Sequence, residues 1–336
     1  MSNKKNILHI ATGGTIAMKK AEDGTLTPYD SAQSLLDSVP EIKTFCNVDM
    51  IALPPIDSAN IYPQYWIKIA DSIVENYKKY DGFVVTHGTD TLAFTASALS
   101  FFIRELDKPV VLTGSQIAMS IIGSDAKRNL INAFRVATTN ISEVVVVFGS
   151  KIIRGVRARK ISAFSLEAFE SINESPLGEI GLSLRIRSRA KKKAGRHLLY
   201  QPYLEPNVAL VHIYPSFTAE NLRDIVKRRK GIVLLGYGTG NMPVDEKHGI
   251  LPVIKESTES GIPVMIGTQC VLGPTNLGLY RVGKEILDAG AIPSIDMTPE
   301  ATYTKLMWVL GQTNDIKLIK SKMLKSYVGE ISPYEI

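Results

Sequence analysis

The chain has 336 residues, with 39 Lys+Arg against 33 Asp+Glu (a formal net charge of +6) and 45% hydrophobic against 21% charged residues. This much apolar content excludes a disordered chain. Two cysteines, Cys46 and Cys270, exclude a disulfide-stapled scaffold and lack metal-ligand spacing, so they read as small core residues in a reducing compartment.

At the N-terminus, basic Lys4-Lys5 precedes the apolar run Ile7–Ala11, which meets Gly13-Gly14 after only about five residues, too few for a signal-peptide core. No stretch approaches the roughly 20 apolar residues of a membrane span, so a cytoplasmic protein with no membrane partner is expected. Short β-rich runs follow at 48–53, 83–86, 110–113, 144–148, 210–213, 232–236 and 263–267. With Ile7–Ala11 they read as strands covered on both faces. Trp66, Ile67, Ile69, Ala70, Ile73, Val74 and Tyr77 repeat at helical spacing, and 91–104, 219–229 and 299–311 read as further helices. Strands alternating with helices predict an α/β chain of two open parallel-sheet domains, the N-terminal one larger. The alternation lapses after about 151 and restarts at 208. The predicted domains are 1–186, a linker 187–206, and a smaller C-terminal α/β domain 207–336.

Ligands of open α/β sheets collect at the carboxyl ends of the strands. Three such ends carry glycine beside hydroxyl residues: Thr12-Gly13-Gly14-Thr15, Thr86-His87-Gly88-Thr89-Asp90-Thr91 and Thr113-Gly114-Ser115-Gln116. None has the spacing of a dinucleotide fingerprint or a P-loop. A threonine hydroxyl is a poor nucleophile without a base or a positive neighbour. His87 reads as a hydrogen-bonded structural residue, and the five histidines lack metal-type clustering, so no metal is expected. The remaining base is a lysine, whose pKa falls when it is desolvated or crowded by cations. Lys160 ends the run Arg154–Lys160, although by composition alone that run reads as a solvated basic face.

Thr12–Ala17 and His87–Thr91 resemble the two signature segments of bacterial-type L-asparaginases. The resemblance continues through Asp57-Ser58-Ala59-Asn60, Thr113–Gln116, Arg154-Gly155 to Lys160, Glu167–Ser171, Gly236–Asn241 and Asp296–Thr302, covering essentially the whole chain. It points to the type I, cytoplasmic branch and implies hydrolysis of the side-chain amide of L-asparagine to L-aspartate and ammonia, without a cofactor. Thr15 would attack and form an acyl-enzyme, with Thr89 as the alternative nucleophile. Thr89, Asp90 and Lys160 would handle protons and water. Asp57, Ser58, Ala59, Gly88, Ser115 and Asn241 would bind substrate, Asn241 by reaching across from a neighbouring subunit of a homodimer or homotetramer. Residues 18–28 would form a closing lid, with Thr25 at the position where many relatives carry a tyrosine and Tyr29 four residues on.

Two other functions compete. One is the glutamine-hydrolysing D subunit of an archaeal-type Glu-tRNA(Gln) amidotransferase, which shares the same machinery. The other is a nucleic-acid-binding protein, suggested by the basic excess. Residues 151–196 hold 12 Lys+Arg and 4 Asp+Glu, whereas the rest of the chain holds 27 and 29. The charge is therefore local, without aromatic residues at stacking intervals, and no nucleic-acid partner is expected.

Overall fold

A computed structural model describes residues 4–20, 26–28, 32–192, 194–195, 197–245 and 247–333. They divide into two compact units, Met1–Ser171 with Ser175–Pro202, and Ile172–Glu174 with Tyr203–Ile336.

The first unit is built on an eight-stranded sheet: β1 (Lys5–Ala11), β2 (Cys46–Ala52), β3 (Gly82–Thr86), β4 (Val110–Thr113), β5 (Val144–Phe148), β6 (Lys151–Arg154), β7 (Gly178–Ile180) and β8 (Leu184–Ile186). Its order is β8-β7-β6-β5-β4-β3-β1-β2. The five strands from β2 to β5 are parallel as predicted, and β3, β4 and β5 are buried along their whole length. Beyond β5 the pairing turns antiparallel through β6, β7 and β8. The edge differs from the all-parallel expectation because β6 follows β5 after only Gly149 and Ser150, too short a connection for a parallel crossover.

Helices α1 (Pro63–Asn76), α2 (Leu92–Phe102) and α3 (Ala126–Ala137) cover the sheet. Pro63 stands at the first turn of α1, where its fixed φ and missing N–H are harmless, so the helix begins ahead of the periodic stripe. Trp66, Ile69, Ala70 and Ile73 form its buried face. Ile7, Val84, Val111, Val145 and Val147 share one core with Leu130, Ala133 and Phe134 of α3. The chain runs from β1 to β2 on one side, then crosses to β3 on the other. The β1/β3 boundary is thus a topological switch point, the place at the carboxyl ends of the strands where open α/β sheets bind their ligands.

Residues 187–202, expected as linker, belong to this unit. Leu199–Tyr200 pairs antiparallel with Ile103–Arg104, Lys192 bridges Ile141, and Ser142 N donates to Lys191 O at 2.9 Å.

The second unit carries a four-stranded parallel sheet in sequential order: β9 (Val208–His212), β10 (Gly231–Gly236), β11 (Val264–Thr268) and β12 (Ile292–Pro293). Helices α4 (Ala219–Val226), α5 (Ile250–Glu259), α6 (Arg281–Asp288), α7 (Pro299–Leu310) and α8 (Ile316–Leu324) complete it. Thr298 caps α7, its Oγ1 accepting from Ala301 N at 3.0 Å, with Pro299 in the first turn. Within α7, Lys305 is wholly buried and pairs at 2.7 Å with the equally buried Glu330. The Lys305 ammonium also donates to Met323 O and Lys325 O, while Glu330 accepts from Tyr327 N and Val328 N. Cys46 is buried as expected, but Cys270 is exposed just beyond β11, where no core covers it. No described helix is long and apolar enough to cross a membrane.

Candidate active site

Three segments leave the carboxyl ends of β1, β3 and β4, and a fourth follows β2; glycine lets all four touch. A Cβ on Gly13 would lie 3.0 Å from Ile56 N, one on Gly14 2.4 Å from Gly88 N, one on Gly88 2.6 Å from Ser58 Oγ, and one on Gly114 2.4 Å from His87 O. Hydrogen bonds finish the joint: Thr12 Oγ1 donates to Thr86 O at 2.8 Å, Ile56 N to Thr12 O at 3.0 Å, and His87 N to Thr113 O at 2.9 Å. Thr15 and Thr89 each follow directly on this glycine contact, so the main chain holds the two threonine segments side by side. Gly14 also has φ +81°, a region that L side chains rarely adopt. Gly14→Ala is therefore expected to destabilise the first unit by about 1–3 kcal/mol. An unchanged denaturation midpoint would contradict the close approach.

Thr89, nearly buried, sits at the centre of the polar groups. Lys160 Nζ donates to Thr89 Oγ1 at 2.8 Å and to Asp90 Oδ1 at 2.7 Å. Lys160 arrives there through a chain of contacts. It ends the short strand Ala158–Lys160, which pairs antiparallel with Phe169–Ser171. Just before it, Gly155 presses on α2: a Cβ there would lie 2.7 Å from Ser100 Oγ and 3.1 Å from Ala96 O. The basic run expected as a solvated face is therefore largely interior. Arg154 and Arg157 are buried, Arg154 against Glu143 at 2.9 Å, whereas the linker-side cations Arg185, Arg187, Arg189 and Lys192 are exposed.

Asp57 caps a short 3₁₀ turn over Ser58–Asn60, its Oδ1 accepting from Ala59 N at 3.0 Å. Ser58 is buried; its Oγ accepts from Asp90 N at 3.3 Å and its carbonyl from Thr91 Oγ1 at 2.7 Å. Asp57 and Ala59 remain exposed beside it. Ser115 Oγ is buried and, among the described residues, has no hydrogen-bond partner. The structure thus gathers Gly88, Thr89, Asp90, Lys160, Asp57, Ser58 and Ala59, next to Thr15 and Ser115. Asn241 lies in the second unit, in a tight turn where Tyr237 N and Asn241 O pair just past β10. Residues 18–20 and 26–28 pair as antiparallel strands. The rest of the expected lid, with Thr25 and Tyr29, lies outside the described residues.

His87 is not a base for this cluster. Burial lowers its pKa to about 4. Its Nδ1 lies 2.6 Å from Gly88 O, which can only accept, so Nδ1 carries the proton and Nε2 accepts from Thr95 Oγ1 at 2.9 Å. Its task is to hold the Gly88 turn.

Three contributors escape the sequence reading. Gln116 Oε1 lies 3.1 Å from Thr89 Oγ1. Asp125, 3% exposed, accepts from Gln116 N and Ile117 N, and Asn129 donates to Asp125 Oδ2 and Gly114 O. The one available signal was that Gln116 ends the strand-end segment Thr113–Gln116 already singled out.

Hydroxyl residues beside strand-end glycines and a lysine–threonine–aspartate cluster, gathered at the carboxyl ends of parallel strands, together describe a hydrolase-type site. The family model "Asparaginase, N-terminal" matches residues 6–192, and "Glutaminase/Asparaginase C-terminal domain" matches 207–323. L-asparaginase 1 of Escherichia coli K12 is 38% identical over 336 residues, covering 98% of this chain and 99% of that protein. The D subunit of the glutamyl-tRNA(Gln) amidotransferase of Pyrococcus horikoshii is 39% identical over 97% of this chain and 76% of its own length. The thermostable L-asparaginase structure from Thermococcus kodakarensis superposes with a TM-score of 0.93 at 38% identity, covering 98% of this chain and all of that one. The chain belongs to the asparaginase family of hydrolases, in its bacterial type I branch.

Proposed function

We propose that the protein hydrolyses the side-chain amide of L-asparagine to L-aspartate and ammonia through a threonine acyl-enzyme. The observation that carries this reading is the contact of Lys160 Nζ with both Thr89 Oγ1 and Asp90 Oδ1, beside the Gly14–Thr15 turn. Thr15 Oγ attacks the amide carbon, and its proton leaves with the departing ammonia. The β-aspartyl ester that remains is attacked by water held at the Thr89 hydroxyl; as the bond to Thr15 breaks, the Thr89–Lys160 relay delivers a proton to Thr15 Oγ and takes up the one the water loses. Asp90 orients the lysine, as the carboxylate of a serine triad orients its histidine. The exposed Asp57 carboxylate suits the α-ammonium group, the N–H groups opening α2 suit the α-carboxylate, and the orphan Ser115 hydroxyl is available to substrate. In this reading Asn241 of a neighbouring copy completes the pocket, in a homodimer or homotetramer working in the cytoplasm.

The likeness to the amidotransferase D subunit supports a second reading, in which glutamine is the amide and the ammonia passes to a partner protein. Ammonia release from L-Asn, L-Gln and D-Asn decides between them, with Thr15→Ala and Thr89→Val as controls. L-Asn is expected to be strongly preferred and each variant nearly inactive. One methylene is typically worth about 1–3 kcal/mol of discrimination. Turnover of L-Gln with L-Asn inert would favour the second reading.

A further inference from the structure

The Thr89 hydroxyl has two polar neighbours with opposite demands. An ammonium only donates, so Lys160 at 2.8 Å occupies an oxygen lone pair. The hydroxyl proton is thereby directed to Gln116 Oε1 at 3.1 Å. The other end of the same amide fixes its orientation: Gln116 Nε2 faces Ser165 O at 3.4 Å, and a flipped amide would set two oxygens against each other.

The mount beneath Gln116 is unusual for its position. Asp125 stands at the N-cap of α3, where a carboxylate ordinarily accepts from the first helical N–H groups. It does not cap; Ser124 Oγ accepts from Ala126 N at 3.0 Å instead. The Asp125 carboxylate is turned to the 116–117 turn, accepting from Gln116 N at 3.0 and 3.1 Å and from Ile117 N at 3.0 Å. Asn129, wholly buried one helical turn on, locks the carboxylate at 2.9 Å. It also donates to Gly114 O at 3.0 Å and accepts from Gly149 N at 3.0 Å. A charged group has been buried to fix one turn, and the side chain leaving that turn ends on Thr89.

We propose that Gln116 is a positioning residue for Thr89: its Oε1 holds the hydroxyl proton away from Lys160, and Asp125 with Asn129 holds the turn that carries it. The consequence for reaction rests on the hydrolase reading above. With its proton directed to Gln116 Oε1, the Thr89 oxygen keeps its lone pairs toward Lys160. Without that acceptor the hydroxyl is free to take other staggered rotamers, and misplacement of a reacting group by about 1 Å can cost 100-fold.

The test compares Gln116→Met, which keeps the shape and removes the acceptor, with Gln116→Glu, which keeps the acceptor oxygen toward Thr89 and gives up the long 3.4 Å contact with Ser165 O. Crystal structures and steady-state kinetics on L-Asn and L-Gln are the two readouts. In Gln116→Met, Thr89 is expected to leave its present rotamer, with kcat down roughly 10- to 100-fold and KM within about threefold. Gln116→Glu is expected to keep the rotamer and recover most of kcat. A Thr89 that does not move in Gln116→Met, or equal kcat losses in the two variants, overturns the proposal. If the unsubstituted protein releases ammonia from neither amide, the functional reading falls, while the crystallographic arm still decides the positioning.

Discussion

Lys160→Met should lower kcat for amide hydrolysis by roughly 1,000-fold or more, at the upper end of what a positioned acid–base group supplies, while leaving the fold intact. The substitution keeps the length of the aliphatic stem and removes only the ammonium. What it strands is mild: Asp90 is 61% exposed and returns to water, and Thr89 retains Gln116. The loss therefore falls on proton transfer rather than on stability. Ammonia release and a thermal melt on the same sample separate the two. Activity near that of the unsubstituted protein would remove Lys160 from the relay, and a lowered melting temperature would show that the lysine chiefly supports structure.

The largest effect on stability is expected in the second unit. Glu330→Gln leaves the Lys305 ammonium in a fully buried site with carbonyl partners but no counter-charge, and Lys305→Met leaves a buried carboxylate without its cation. Breaking a buried pair from either side typically costs about 3–5 kcal/mol. Removing both partners should cost less than the sum, because no unpaired charge remains. It should not restore full stability, since the carbonyls of Met323 and Lys325 and the amides of Tyr327 and Val328 also lose partners. Urea denaturation of the two single variants and the double variant measures the coupling, and strict additivity would refute a paired role. The pair also carries a pH signature. Burial by itself raises the Glu330 carboxyl, but the Lys305 charge, its hydrogen bond and the Val328 amide outweigh burial and hold it below its ordinary range. A carboxyl that titrates lower when folded contributes fully above its unfolded pKa of about 4.5 and loses that contribution as the pH falls through the folded value. Acid should therefore narrow the difference between the unsubstituted protein and Glu330→Gln.

Much of the architecture was legible because β3, β4 and β5 are continuous apolar runs of valine, phenylalanine and leucine between turn residues. The antiparallel edge was not. Its strands are three or four residues long and carry Lys151, Arg154, Glu179 and Arg185, and Arg154 is tolerated inside because the Glu143 carboxylate and Arg189 O meet it at the open end of the β5–β6 hairpin. Helix α3 was equally obscure, with Asn129 and Asn132 on its buried side. Their amides bond Gly114 O and Gly149 O, a compensation no local pattern reveals. In the site, Thr15, Thr89 and Asp90 announced themselves as hydroxyl and acidic residues beside strand-end glycines. Lys160 was reached from the sequence only as a candidate base, and the family resemblance singled it out, because 70 residues separate it from Asp90 and the cations around it suggested solvent. Asp125 acts through the main chain of the turn that carries Gln116, and nothing in residue type signals that.

The contacts at Gly13, Gly14, Gly88 and Gly114 have a further meaning for how such a site can change. Since the distance between the two threonine segments is set by backbone resting on backbone, it is not a variable that side-chain drift can adjust. On the hydrolase reading proposed above, substrate range is then free to vary at the exposed Asp57 and Ala59 and at the buried Ser115, without retuning the reacting groups. A library aimed at a longer or differently charged amide belongs at those three positions, with the four glycines held constant.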